Sequence, residues 1–103
     1  MTLAGVKTML ETTGMPVVYG AWKKGTAPPM PYIVYLCTYN NNFGADGAVY
    51  FYSGHVQIEL YTKEKNIEAE AALESAMSEI FWTKTETYLE SEKCWQVLYE
   101  IEV

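Results

Sequence analysis

Few side chains in this sequence are of the types that do chemistry. His55 is the one histidine, so it has no second imidazole with which to hold a metal ion or relay a proton. It is the first residue of a run in which polar and apolar residues alternate, and it occupies one of the polar positions. This position predicts a strand residue on the protein surface. No serine or cysteine stands in the sequence context of an activated nucleophile. We therefore expect neither a catalytic constellation nor a bound metal.

Several acidic side chains could in principle act as a pair of carboxylates in acid–base catalysis: Asp46, Glu86, Glu90 and Glu92. The glutamates, however, alternate with threonine and serine in a hairpin, a pattern typical of a solvated strand face. Residues 44–47 are glycine-rich like a phosphate loop, but the Lys-Ser/Thr pair and the strand-to-helix context of such a loop are missing. The expectation is a protein that is not an enzyme and that has no catalytic residues and no cofactor.

Almost all of the charged residues are lysine or glutamate. All seven basic residues are lysine, twelve of the thirteen acidic residues are glutamate, and the formal net charge is -6. Arginine, whose guanidinium is the usual fork for phosphates and base edges, is absent. This composition predicts no specific binding of nucleic acid. A second interpretation is that the negative charge serves only to keep the protein soluble.

Length and hydropathy bound the organisation of the chain. With 103 residues, half of them hydrophobic, we expect a single domain over residues 1–103. No run approaches the ~20 apolar residues that span a bilayer, and the first residues lack the basic-then-apolar pattern of a signal peptide. The expected compartment is therefore the cytoplasm, with no membrane contact. There Cys37 and Cys94 would stay reduced as small apolar groups.

Periodicity and turn residues divide the chain into helices and strands. Val6 and Leu10 have helical spacing before Gly14, and Asn66 is a good cap for a second helix. The predicted elements are a helix at 2–13, a short extended segment at 17–22, strands at 32–39 and 48–62, a helix at 66–79, and strands at 81–88 and 93–103. The order α-β-β-β-α-β-β predicts an α+β fold, with a mainly antiparallel sheet and both helices on one face.

The clearest strand pattern lies in residues 95–103, where apolar side chains alternate with mostly polar ones. Residues 55–62 alternate in the same way, with Val56, Ile58 and Leu60 predicted to face inward. Residues 53–54, a Ser-Gly pair within the longer run 48–62, are compatible with a tight turn or with a bulge.

Two segments are predicted to be loops. Residues 25–31 contain three prolines, and residues 40–47 contain three asparagines and two glycines. Each carries a large apolar residue, Met30 or Phe43, that a merely solvated loop would not need. We expect both loops to contact neighbouring subunits or partner proteins and to become ordered on assembly.

Aromatic residues are abundant, with nine tyrosines and three tryptophans. Their number exceeds what a core of this size can hide. Two interpretations remain open, and both can hold. The rings cover the faces of a small sheet, or they form a surface that contacts other subunits or a partner protein.

Four segments carry a family resemblance: residues 25–35, 42–47, 56–62 and 85–92. Together they resemble small head–tail joining or tail-completion proteins of tailed phages and prophages of Gram-positive bacteria, and the resemblance covers residues 8–103. The order of helices and strands is also similar to that of tail terminator proteins.

The resemblance implies a structural protein of virion assembly, acting in tail completion or head–tail joining as a homo-oligomeric, hexameric ring at the head-proximal end of the tail. The implied partners are the tail tube protein and the head connector protein, in the cytoplasm of the bacterial host and then in the virion. The candidate interaction residues within these segments are Met30, Tyr32, Phe43, Asp46 and Tyr88. The alternative is a monomeric prophage-encoded binding module that acts on a host protein.

Overall fold

A computed structural model gives the α+β fold that the sequence predicts. It describes residues 1–45 and 48–103, and the side chains of residues 39–53 lie outside this description. The elements in chain order are α1 (Leu3–Glu11), β1 (Val17–Tyr19), β2 (Tyr32–Ala45), β3 (Ala48–Thr62), α2 (Ile67–Ala76), β4 (Trp82–Leu89) and β5 (Cys94–Glu102).

Both helices begin at a capping side chain, and that of the second helix is the predicted Asn66. The Thr2 hydroxyl accepts a hydrogen bond from the backbone N–H of Gly5 at 3.0 Å, and the Asn66 side chain accepts one from the N–H of Ala69, also at 3.0 Å. Gly14, with φ of 81°, lies in the left-handed conformation that ends the first helical segment. The second helix ends at Ala76, three residues before the predicted end at residue 79.

The strands form one mixed sheet in the order β1-β2-β3-β5-β4. All neighbouring pairs are antiparallel except β1 and β2, which run parallel. A parallel pair needs a long crossover, and residues 20–31 supply it. The proline-rich loop is therefore the connection that lets β1 join the sheet at its edge.

The hydrophobic core lies between the two helices and one face of the sheet. Val6 and Leu10 of α1 and Leu73 of α2 are fully buried against this face. The strand residues of the core are Ile33, Tyr35, Val56, Ile58, Leu60, Val97, Tyr99 and Ile101, and those of β3 and β5 follow the predicted alternation. Burial of this face on a small domain is the main source of stability.

Strand β2 is longer than the sequence predicts, whereas β3 has the predicted bounds. The expectation of a loop at residues 40–47 is wrong for residues 40–45, which belong to β2, and residues 46–47 lie outside the described part. Residues 53–54 are neither a turn nor a bulge, because Ser53 pairs with Asn41 and Gly54 with Asn40 in unbroken register. The register shifts lie instead between Cys37 and Tyr39 and between Phe43 and Gly44.

The extra length forms a two-stranded extension, called here the β2–β3 ribbon: residues 41–45 paired with residues 48–53. Gly54 exchanges two backbone hydrogen bonds with Val103, at 3.0 and 2.9 Å, and this is where the third strand of the described sheet stops. Asparagine disfavours strands, but residues 48–52 have strong strand propensity and supply a backbone partner. Pairing therefore overrides the local preference for a loop.

Within the described residues, neither helix is both long and apolar enough to cross a membrane.

Candidate functional site

The face of the sheet that turns away from the helices, called here the open face, has no helix packed on it in the described part of the chain. Strand alternation places Tyr32 and Val34 of β2 and Glu59 and Tyr61 of β3 on this face, since Ile33 and Leu60 point into the core. A sheet face without a packed helix is a natural place for an interaction site in a small domain.

A groove of about 510 Å³ lies on the open face, under the crossover loop of residues 20–31. We call it the aromatic groove. Its principal lining residues are Trp22, Met30, Tyr32, Glu59, Tyr61 and Glu92. The loop brings Trp22 and Met30 over the sheet, whereas Glu92 comes from the β4–β5 turn. Its volume is within the range of ordinary ligand sites.

Three aromatic rings form a continuous row along the groove. The ring centroids of Trp22 and Tyr32 are 5.5 Å apart with an interplanar angle of 77°. Those of Tyr32 and Tyr61 are 5.4 Å apart with an angle of 41°. These are favourable edge-on and tilted contacts. The row therefore holds its shape without a ligand and offers aromatic surface to one.

Tyr61 is the polar centre of this row. Its hydroxyl donates to Glu59 Oε1 at 2.8 Å and accepts from Gln96 Nε2 at 2.9 Å. Burial, reinforced by the neighbouring Glu59 carboxylate, raises the pKa of Tyr61 to about 12. Tyr61 is therefore a neutral phenol at physiological pH, and it holds the Glu59 carboxylate in place.

The groove carries negative charge. Glu59 and Glu92 line it, and none of its described lining residues is basic. Burial raises the pKa of the Cys94 thiol, and the nearby Glu92 raises it further, so Cys94 is a poor nucleophile. This chemistry suits the binding of a cation rather than covalent catalysis.

His55 lies on the same face, next to the start of the ribbon. Its Nδ1 lies 2.8 Å from Glu102 Oε1, and its Nε2 lies 2.8 Å from Glu100 Oε1. Because an ionised carboxylate only accepts, both ring nitrogens must donate, which requires the imidazolium. The hydrogen bond to Glu102, with that to Glu100, raises the pKa of His55 against the opposing effect of burial. The sequence predicted the strand position of His55 but not this bridge.

We expect His55→Gln to lower stability more at low pH than at high pH. A raised folded-state pKa means that the imidazolium stabilises the fold fully below the unfolded pKa and that this contribution is lost as pH rises through the folded pKa. The loss should be about 1 kcal/mol at about pH 6 and smaller at about pH 9. Urea unfolding at the two pH values measures it. An NMR titration of His55 that gave a pKa at or below the ordinary value would contradict the bridge.

A second polar cluster lies on the helix side of the sheet. Glu70 of α2 is buried, with Lys65 Nζ 2.8 Å from its Oε2 and Lys84 Nζ 2.7 Å from its Oε1. Lys84 Nζ also lies 2.7 Å from Glu74 Oε2, and Lys65 pairs with Glu86. These contacts tie α2 to the edge strand β4.

The electrostatics of this cluster are those of a structural ion pair. Burial alone would raise the pKa of Glu70, but the ammonium groups of Lys65 and Lys84 outweigh it and hold the pKa below its usual value. Burial likewise opposes the charge on Lys84, but Glu70 and Glu74 outweigh it and raise the pKa of that ammonium. Lys84 therefore stays protonated and does not offer the neutral amine that a nucleophilic lysine needs.

The structure brings together two of the predicted interaction residues, Met30 and Tyr32, in the aromatic groove. Tyr88 does not line this groove. It lies in β4 on the face of the sheet that carries the helices, where it is 44% exposed and its ring centroid is 5.3 Å from that of Trp95. The side chain of Phe43 and the whole of Asp46 lie outside the described residues.

Sequence reasoning did not select Trp22, Glu59 or Glu92 as site residues. The outward phase of Glu59 was readable from strand alternation, but the neighbours of Glu59 across the sheet were not. Trp22 reaches the groove only because residues 20–31 cross over the open face, and no local pattern signals the path of such a loop.

No protein-family model matches this chain, and no curated protein matches its sequence. Among the described residues, no group of three or more His, Cys, Asp or Glu side chains is placed to hold a metal ion. The candidate site therefore rests on its own geometry: an aromatic, acidic groove between the crossover loop and the open face.

Proposed function

We propose that this chain is a structural protein of phage or prophage virion assembly, which acts in tail completion or head–tail joining as a homo-oligomeric ring. The resembling segments, residues 25–35, 42–47, 56–62 and 85–92, support the assignment. Its partners would be further copies of the chain, the tail tube protein and the head connector protein. It would act in the bacterial cytoplasm and remain in the virion.

The observation that carries this proposal is the β2–β3 ribbon. Its backbone pairs across the two strands from Asn41–Ser53 to Ala45–Ala48. A paired extension of this kind suits a subunit that reaches onto a neighbour. In a ring, each subunit needs two different complementary patches, and the ribbon together with the surface it contacts can supply them.

The sheet edges add to the contact surface that a ring needs. At one edge is β1, with Tyr19 50% exposed, and at the other is β4, whose residues from Thr83 to Thr87 are all exposed. Both strands have a free backbone side in the described sheet. Such edges are available for contacts between chains.

We expect the purified protein, alone or with tail tube protein, to form a closed ring. Six copies of a chain of 11.7 kDa have a mass of about 70 kDa. Native mass spectrometry over a dilution series measures the mass, and negative-stain electron microscopy shows the sixfold outline. A monomer at every concentration, with no association with tail tubes, would refute the ring and favour the host-directed binding module.

A further inference from the structure

The aromatic groove has the chemistry of a cation site. Trp22, Tyr32 and Tyr61 offer ring faces and edges in a continuous row, and Glu59 and Glu92 supply the negative charge. Cations bind over aromatic rings and beside carboxylates, and both interactions gain from partial burial. Glu59 is also oriented by the Tyr61 hydroxyl, so its carboxylate does not need to be ordered when a ligand arrives.

The charge inside the groove is acidic. Glu100 and Glu102 lie on the same face, but both are paired with His55. Lys23, Lys24 and Lys93 are close in sequence to lining residues, yet none of them lines the groove. A basic side chain inside the groove therefore faces Glu59 and Glu92 with no lysine among the lining residues.

We propose that the aromatic groove binds an arginine side chain carried by a segment of a basic partner protein. The flat guanidinium stacks on the aromatic row while it donates to the Glu59 carboxylate. This inference does not rest on ring formation or on a role in virion assembly.

A second copy of this chain is a poor occupant. The chain has no arginine, and its net charge of -6 makes the approach of another copy to an acidic face unfavourable. The charge complementarity therefore indicates a different protein, one with an excess of basic residues.

The test uses a short acetylated peptide of alternating glycine and arginine, with a matched peptide in which citrulline replaces arginine. Citrulline keeps the shape of the side chain and removes its charge. The shift of the Trp22 indole N–H in NMR spectra of the whole protein measures binding at the groove. We expect the arginine peptide to move this signal, with affinity that weakens as salt is raised, and the citrulline peptide to bind on the order of tenfold more weakly.

Two variants localise the effect. Glu59→Gln should weaken binding of the arginine peptide on the order of tenfold, while Glu79→Gln, an equal charge change at an exposed position after α2, should leave it within about twofold. The thermal midpoint and the amide spectrum of each variant establish that it is folded. Equal binding of the citrulline peptide, an unchanged affinity in Glu59→Gln, or shifts confined to residues outside the groove would each overturn the proposal. Movement of the Trp22 signal with protein concentration alone would instead identify a second copy as the occupant and overturn it too.

Discussion

Replacing Tyr99 with alanine is expected to lower the free energy of unfolding by about 3–5 kcal/mol. Tyr99 is fully buried at the centre of β5, with its ring 5.5 Å from that of Trp82. Its hydroxyl donates to Glu74 Oε2 at 2.6 Å, so one side chain links β5, β4 and α2. The substitution would open a cavity between sheet and helix and remove a donor from the Glu74 carboxylate. Urea unfolding followed by circular dichroism measures the loss.

The control for this prediction is Tyr99→Phe, which keeps the ring and removes only the hydroxyl. Glu74 then retains Lys84 as a partner, so the loss should be about 1 kcal/mol. A loss in Tyr99→Ala no larger than that in Tyr99→Phe would show that the ring does not fill the core. Failure of Tyr99→Ala to fold at all would agree with the prediction, since Tyr99→Phe should still fold.

Shortening the β2–β3 ribbon is expected to abolish assembly while the isolated domain stays folded. The variant replaces residues 41–53 with an Asn-Gly turn, which closes the strands at the existing Asn40–Gly54 pair. Because the ribbon extends past the last backbone contact of β5, its removal leaves the pairing of β3 with β5 intact from His55 to Thr62. The yield of joined particles, counted by electron microscopy, should fall at least about tenfold if the ribbon carries the central contacts between subunits.

A single substitution refines this test. Phe43→Ala should leave the thermal midpoint nearly unchanged and reduce the yield of joined particles, because we expect Phe43 to contact a neighbouring protein. Glu68→Gln, at an exposed position in the first turn of α2, is the control that should leave the yield unaffected. A shortened variant that assembles normally would refute the role of the ribbon, and one that unfolds would show that the ribbon is part of the core.

The helices and the core strands were predictable because their signals are local. The Asn66 cap and the left-handed Gly14 depend on a few neighbouring residues. The alternation of Val56, Ile58 and Leu60 depends only on the twofold period of a strand. Such patterns predict which side of an element is buried without reference to the rest of the chain.

The ribbon was not predictable in this way. Asparagine and glycine at residues 40–47 favour a loop when they are considered alone. Strand structure there depends on the backbone of residues 48–53 being in register, and register is a property of the pair. The same holds for the parallel pairing of β1 with β2, which depends on the path of the crossover loop.

By itself, the sequence determined the α+β class, the order of the elements and the core side chains of the helices, β3 and β5, because hydrophobic periodicity and caps act over a few residues. It also determined the acidic charge and the absence of arginine, which follow from composition. Only the tertiary structure decided that Met30 and Tyr32 share a groove with Trp22, Glu59 and Glu92. These residues come from different strands and turns, and their distances depend on strand order and loop path rather than on any local pattern. The bridge between His55 and two carboxylates of β5 arose in the same way, from the register of β3 against β5.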